Sequence, residues 1–325
     1  MVCKGVLAQL GEHLPYKQRV IGSSPIGPIF VYIENEKQLS KRGVMIKIIT
    51  DSASDIVDNK REDLVILPVS ITFGEEEFQD GITLTHEMFY EKLIECDALP
   101  VTSQVSPFAF EEAFREAVEA GHQVIAVTLS SKLSGTWQSA CIAAEKFGDK
   151  VRVVDSENAS LGQHALVEYA LRLKDAGLSF EEVTQRLNAD KGRIRLVALL
   201  DTLEYLKKGG RISKAAAMAG NLLSIKPVIA IQGGEVAILG KARGSRQGNN
   251  LLAEQITKTG GIDFEKPFFL GYTGLDDSML KKYIADHEAF WKSSVDALET
   301  SSVGGTIGTH VGPGAIGVAF FSAGI

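Results

Sequence analysis

Two hydroxyl-rich turns, one histidine and a pair of acids carry the chemistry this sequence can offer. Ser130-Ser131-Lys132-Leu133-Ser134-Gly135-Thr136-Trp137 follows the apolar run Val124-Ile125-Ala126-Val127-Thr128-Leu129 and precedes a helix-like segment that ends near Phe147. Such a turn is an anion seat, because the first N–H groups of a helix lack intrahelical partners and lie at the positive end of its dipole. Ser134 or Thr136 adds a hydroxyl donor, and the plainer reading makes Ser134 the N-cap of that helix. Pro100-Val101-Thr102-Ser103-Gln104-Val105-Ser106-Pro107 is a second loop of this kind, also just before a helix. The glycine-rich segment from Gly304 to Gly317 sets His310 among residues that permit close backbone approach. Asp51 and Asp55, in Asp51-Ser52-Ala53-Ser54-Asp55, lie just past the first strand, where open α/β sheets place ligands. They read either as a metal-holding pair or as a turn that Ser54 or Asp55 caps.

Several function classes lack their signatures. The serines around Ser134 stand in no GxSxG elbow and nothing marks a histidine as their base, which argues against a serine hydrolase. The GxxxxGK[ST] phosphate loop is absent as well. The chain has 325 residues, 45% of them apolar, and room for two domains of ordinary size. A formal charge of −7 without a concentrated Lys/Arg stripe argues against nucleic acid, and Lys207-Lys208 with Arg211 form only a local basic cluster. Cys3, Cys96 and Cys141 have no paired spacing, so neither a disulfide framework nor a zinc site is indicated and a reducing cytoplasm is the expected location. The longest apolar runs, such as Ala315 to Phe321, fall well short of the roughly 20 residues that span a bilayer.

The elements that must position these residues alternate from Met45 onward, which predicts an α/β domain with a mainly parallel sheet flanked by helices. Strands are expected at Ile46 to Thr50, Leu64 to Phe73, Val124 to Leu129 and Val151 to Val154. Thr85 can cap one helix, and Ser106-Pro107 opens another with an N-cap followed by proline. Asp155-Ser156 closes the N-terminal domain, 45–156. The C-terminal domain, 157–325, reads as α+β with antiparallel pairing. Its helices are expected around Gln163 to Asp175, Ser179 to Asn188 behind a Ser179/Glu182 capping box, Leu203 to Lys208, Asn249 to Lys258 and Asp277 to Trp291. Its strands are Ile194 to Leu200, Phe268 to Tyr272, Gly317 to Phe321 and a hairpin turning at Gly233-Gly234. Residues 1–44 have no helical or strand period and none of the parts of a signal peptide, so they are expected to be a start-site artefact, like a conceptually translated transfer-RNA gene, or a disordered leader.

Taken together, the motifs are similar to those of the DegV family, lipid carriers of the type that serve as the binding subunit of bacterial fatty acid kinase. The resemblance rests on Thr50-Asp51-Ser52, Thr102-Ser103-Gln104 with Ser106-Pro107, Ser130 to Thr136, Tyr205-Leu206-Lys207-Lys208-Gly209-Gly210-Arg211-Ile212, and Thr309-His310-Val311-Gly312-Pro313-Gly314. It covers Met45 to the end. It implies a two-domain fold with a lipid tunnel between the domains, holding a long-chain fatty acid as ligand and no other cofactor. Thr102 and Ser134 would donate to the carboxylate, His310 would join the same network, and Arg211 would reach in from the second domain. The chain would then be a carrier and not a catalyst, presenting the acid to a separate fatty acid kinase for acyl-phosphate formation, with the basic residues near Arg211 as a docking face. Phe108, Phe110, Phe114, Trp137, Phe264 and Phe290 are candidate linings of the tunnel. The reading from residues alone leaves a different class open, a metal-dependent phosphoryl or acyl transfer enzyme using Asp51, Asp55 and His310.

Overall fold

The computed structural model describes residues 44–57, 59–212, 225–291, 298 and 300–324, so the expected leader lies outside the described residues apart from Val44. Strands β1 (Ile46–Asp51), β2 (Leu64–Leu67), β6 (Gln123–Thr128) and β7 (Val151–Asp155) form a parallel sheet in the order β2-β1-β6-β7. Both of its faces are covered, as parallel sheets require. On one side lie α2 (Pro107–Glu119) and α3 (Thr136–Ala144), which enclose Ile49, Phe110, Phe114 and Ala126. On the other lie α4 (Ser160–Asp175) and α5 (Phe180–Asp190), over Ile48, Ile125 and Val127.

A second sheet carries the order β10-β9-β8-β13-β11-β12. Its members are β8 (Ile194–Leu199), β9 (Ile225–Gln232), β10 (Glu235–Arg243), β11 (Phe268–Tyr272), β12 (Thr300–Ser302) and β13 (Ile316–Phe321). Pairing is antiparallel except between β11 and β12. The β9–β10 hairpin turns at Gly233 and Gly234, both at positive φ, the geometry that a two-residue primed turn demands. Helices α7 (Gly244–Lys258) and α8 (Ser278–Asp286) cover one face of this sheet. Helix α4 packs against strands of both sheets and buries Leu161, Ala165, Leu166 and Ala170, so it has almost no wet side.

A third sheet, β4-β3-β5, differs from the expectation of one strand from Leu64 to Phe73. That run is divided: β2 ends at Leu67, and β3 (Ser70–Phe73) begins a separate antiparallel sheet. Pro68, with no N–H to give a ladder, stands between them. Strands β4 (Glu76–Gln79) and β5 (Val101–Ser103) complete this sheet, the latter within the loop expected from Pro100 to Pro107. Helix α1 (His86–Glu95), capped by Thr85, packs beside this sheet, and Ser106 with Pro107 opens α2 as the sequence indicates. The glycine-rich C-terminal segment also differs, since Gly305–Val311 is helical (α9). It packs closely enough that a Cβ at Gly305 or Gly308 would overlap Phe89.

Candidate functional site

Thr102, Ser134, Arg211 and His310 line one cavity. Thr102 sits on β5, paired across to Ile71, and its Oγ1 lies 3.0 Å from Nε2 of His310 on α9. Ser134 lies in the turn between β6 and α3. The N-cap of α3 is Gly135 and not Ser134, although Ser134 Oγ does accept from Thr136 N at 3.3 Å. Ser134 Oγ is also 3.0 Å from Thr136 Oγ1, which accepts from Val105 N. When Thr136 gives its proton to Ser134, the Ser134 proton is left for the cavity, where Ser134 and not Thr136 is exposed. Capping and donating are thus both served by the start of this helix.

Arg211 follows the short helix α6 (Glu204–Lys208), which ends at Gly209 with Gly210 in the left-handed region. Its Nε donates to Leu133 O at 3.1 Å and its Nη1 to Gly209 O at 2.7 Å. The guanidinium thereby ties the Ser134 turn to the α6 terminus, and Gly209 in turn abuts His310, since a Cβ there would overlap Nδ1. The four residues form one connected patch. Arg211 is half-buried and lines the cavity, whereas Lys207 and Lys208 are exposed, and Lys208 pairs with Glu204 at 2.8 Å.

Burial dominates the electrostatics. It holds the His310 imidazole down at about 4, with the Arg211 charge acting in the same direction, so the ring is neutral at pH 7. A neutral ring has one donor nitrogen. In the tautomer protonated at Nε2 it donates to Thr102 Oγ1, which leaves the threonine proton free for a guest. Nδ1 is buried with no hydrogen-bond partner. Desolvation also lowers the Arg211 guanidinium below its usual value, but it remains charged. The patch is therefore one positive charge and two hydroxyl donors facing a low-dielectric space, a seat for a single anionic group.

The remaining walls are mainly aliphatic, with Ser103, Gln104, Ser160, Thr273 and Thr306 among the other lining residues. Leu129, Leu133, Leu161, Leu196, Ile229 and Ile231 line a cavity of about 120 Å³. Ala198, Gly317 and Gly271 stand side by side across β8, β13 and β11 and leave one wall nearly without side chains. The aromatic residues named from sequence lie elsewhere. Phe110 and Phe114 belong to the core between the parallel sheet and α2, Phe264 and Phe290 pack against the core under the second sheet, and Phe108 is 69% exposed. Trp137 does not line the cavity.

Asp51 and Asp55 do not line it either. Asp51 caps the turn Ser52–Ser54, a role the sequence assigned to Ser54 or Asp55, and it accepts from Ala53 N, Leu129 N and Gln163 Nε2. Asp55 accepts from Ser160 Oγ and Gly304 N. Burial raises Asp51 to about 6 and Asp55 to about 8. No group of three or more His, Cys, Asp or Glu able to hold a metal occurs among the described residues. Sequence reasoning missed Asp80, which is 3% exposed and accepts from Gly305 N and Thr306 N at the start of α9. Its only signal was the Asp80-Gly81 turn pair.

Residues 45–323 match the model of a family described as an uncharacterised protein family, DegV. A DegV domain-containing protein of Caldanaerobacter subterraneus is 34% identical over 280 residues, covering 85% of this chain and 98% of that one. A DegV family protein from Thermus thermophilus, solved for its fatty acid binding, superposes with a TM-score of 0.77 at 32% identity, covering 86% of this chain and all of that one. A stearic acid-binding protein from Eubacterium ventriosum superposes with a TM-score of 0.75 at 28% identity, covering 85% and 97% of the two chains.

Proposed function

This chain belongs to the DegV family, and from that premise we propose that it binds a long-chain fatty acid, its carboxylate on Thr102, Ser134, Arg211 and His310 and its acyl chain along the aliphatic walls. The observation that carries the reading is the convergence of those four residues, from four separate elements, on one cavity whose exposed wall area is mostly apolar. Its two parts meet two different costs. An ionised carboxylate is expensive to bury without hydrogen bonds, and the patch supplies donors and a positive charge. Each methylene leaving water contributes roughly 0.8 kcal/mol, so about a dozen give ~10 kcal/mol before ordering costs. Chain burial supplies affinity, and the polar patch supplies orientation. The Thermus and Eubacterium proteins, described as fatty acid-binding, support the ligand class.

On the family resemblance, a separate fatty acid kinase acts on the bound acid and the chain carries the acyl phosphate onward. Native mass spectrometry of freshly purified protein tests the binding claim: a noncovalent adduct of fatty-acid mass is expected. Protein that is empty as purified and takes up no palmitate or oleate would sink it.

A further inference from the structure

We propose that Asp80 is a positioning residue of the carboxylate seat, holding α9 in the one place from which His310 meets Thr102. This inference rests on the fatty-acid reading for its consequence in binding, while its geometry stands by itself. Helix α9 is seven residues long and contains Gly305 and Gly308, between Gly304 and Gly312. Glycine is a poor helix former and so short a helix does not persist alone, so the position of α9 depends on its attachments. Its N-cap, Gly304, has no side chain to offer its first N–H groups.

Asp80 provides that cap from 225 residues away. One carboxylate oxygen accepts from Gly305 N at 3.1 Å, and the other accepts from Thr306 N at 3.1 Å and from Thr306 Oγ1. Asp55 adds an acceptor for Gly304 N at 2.8 Å. Negative charge at a helix N-terminus is favourable, which accounts for the Asp80 carboxylate in a place where burial is otherwise costly.

The sheet geometry turns this cap into a positioning device. Asp80 follows β4 directly, β4 pairs with β3, and β3 pairs with β5, which carries Thr102. Thus one small ladder grips α9 at both ends, through Asp80 at its start and through the 3.0 Å contact between Thr102 and His310 near its end. Ile71 and Phe89 press on the glycine face between the two grips. A slip of one residue moves a helix by about 1.5 Å, enough to separate His310 from Thr102.

The test uses ¹⁵N-histidine-labelled, lipid-free full chain as wild type, Asp80→Asn and Asp80→Ala, with Ser179→Ala as a control that loses the cap of α5, a helix that contributes no residue to the cavity lining. His310 ring resonances are followed with pH, and palmitate binding is titrated on the same samples. Expected are His310 signals displaced toward those of a free imidazole and palmitate affinity at least tenfold weaker in Asp80→Ala, with a smaller change in Asp80→Asn and none in Ser179→Ala. A folded Asp80→Ala protein with wild-type His310 signals overturns the inference. Should that variant not fold, Thr306→Val removes one of the three donors to Asp80 and is expected to shift the same signals in part; unchanged signals overturn the inference equally. Wild-type protein that takes up no palmitate contradicts the proposed function instead, and the His310 signals still decide the role of Asp80.

Discussion

Replacing Ser134 by alanine removes one hydroxyl from the carboxylate seat and little else. A hydrogen bond to a charged group contributes about 1.5–3 kcal/mol, and 1.4 kcal/mol is a factor of ten, so palmitate affinity should fall about 10- to 150-fold. The fold should persist. The variant loses the 3.0 Å contact to Thr136 Oγ1 and the 3.3 Å bond from Thr136 N, while Thr136 keeps Val105 N as a partner. Those neutral, partly exposed bonds are worth about 1 kcal/mol together, or about 2–4 °C of melting temperature for a chain of this size. Titration calorimetry at fixed salt gives the affinity, and calorimetric melting gives the control. Thr102→Val tests the geometry further: two donors to one carboxylate should be coupled, so the double variant should lose less than the sum of the singles. An affinity for Ser134→Ala within twofold of wild type refutes the assignment of Ser134 to the seat.

Other perturbations separate position from stability. Gly209→Ala places a Cβ against His310 Nδ1 and should weaken palmitate binding, whereas Gly210→Ala meets no neighbour, strains a positive φ, and should cost about 1–2 kcal/mol of stability with affinity unchanged. Equal binding losses in the two variants would refute the close approach as the cause. Ala198→Leu fills the small-residue wall and should shift preference toward shorter acids in a competition series from twelve to eighteen carbons; an unchanged ranking would place the chain elsewhere. Asp55 titrates near 8 in the folded protein against an ordinary 3.8, so the folded state binds more protons across that interval and stability falls as pH rises toward 8. This loss amounts to about 1.4 kcal/mol per pH unit between about pH 5 and 7 and tapers to about half that slope at pH 8, and it should vanish in Asp55→Asn; melting curves with the same slope in both proteins would contradict it.

What the sequence made legible, and what it hid, follows from where each signal resides. Caps are local, and Thr85, Ser106 with Pro107, and the Ser179/Glu182 box all stand at helix starts as read. The Gly233-Gly234 turn was legible for the same reason. The split of Leu64 to Phe73 was not, because an apolar run records β character but not which sheet each part joins, and Pro68 alone marked the break. Helix α9 escaped notice because its glycines argue against helix. They serve packing against Phe89, and the cap comes from Asp80, far away in the chain. Thr102, Ser134, Arg211 and His310 came from the family's motifs, and the structure brings all four to one cavity. The tunnel lining was not legible, since any apolar side chain can face a cavity, and tertiary packing chose leucine, isoleucine and small residues over the aromatic ones.

The most direct test of the central claim is the ¹³C resonance of palmitate labelled at its carboxyl carbon, mixed with delipidated protein and followed from pH 8 to pH 5. The structure predicts one narrow bound signal, distinct from free acid, that still reports an ionised carboxylate at pH 5 and moves in Ser134→Ala. A bound signal that titrates like free palmitate and ignores that substitution, or no bound signal at all, would contradict a carboxylate seated on Thr102, Ser134, Arg211 and His310.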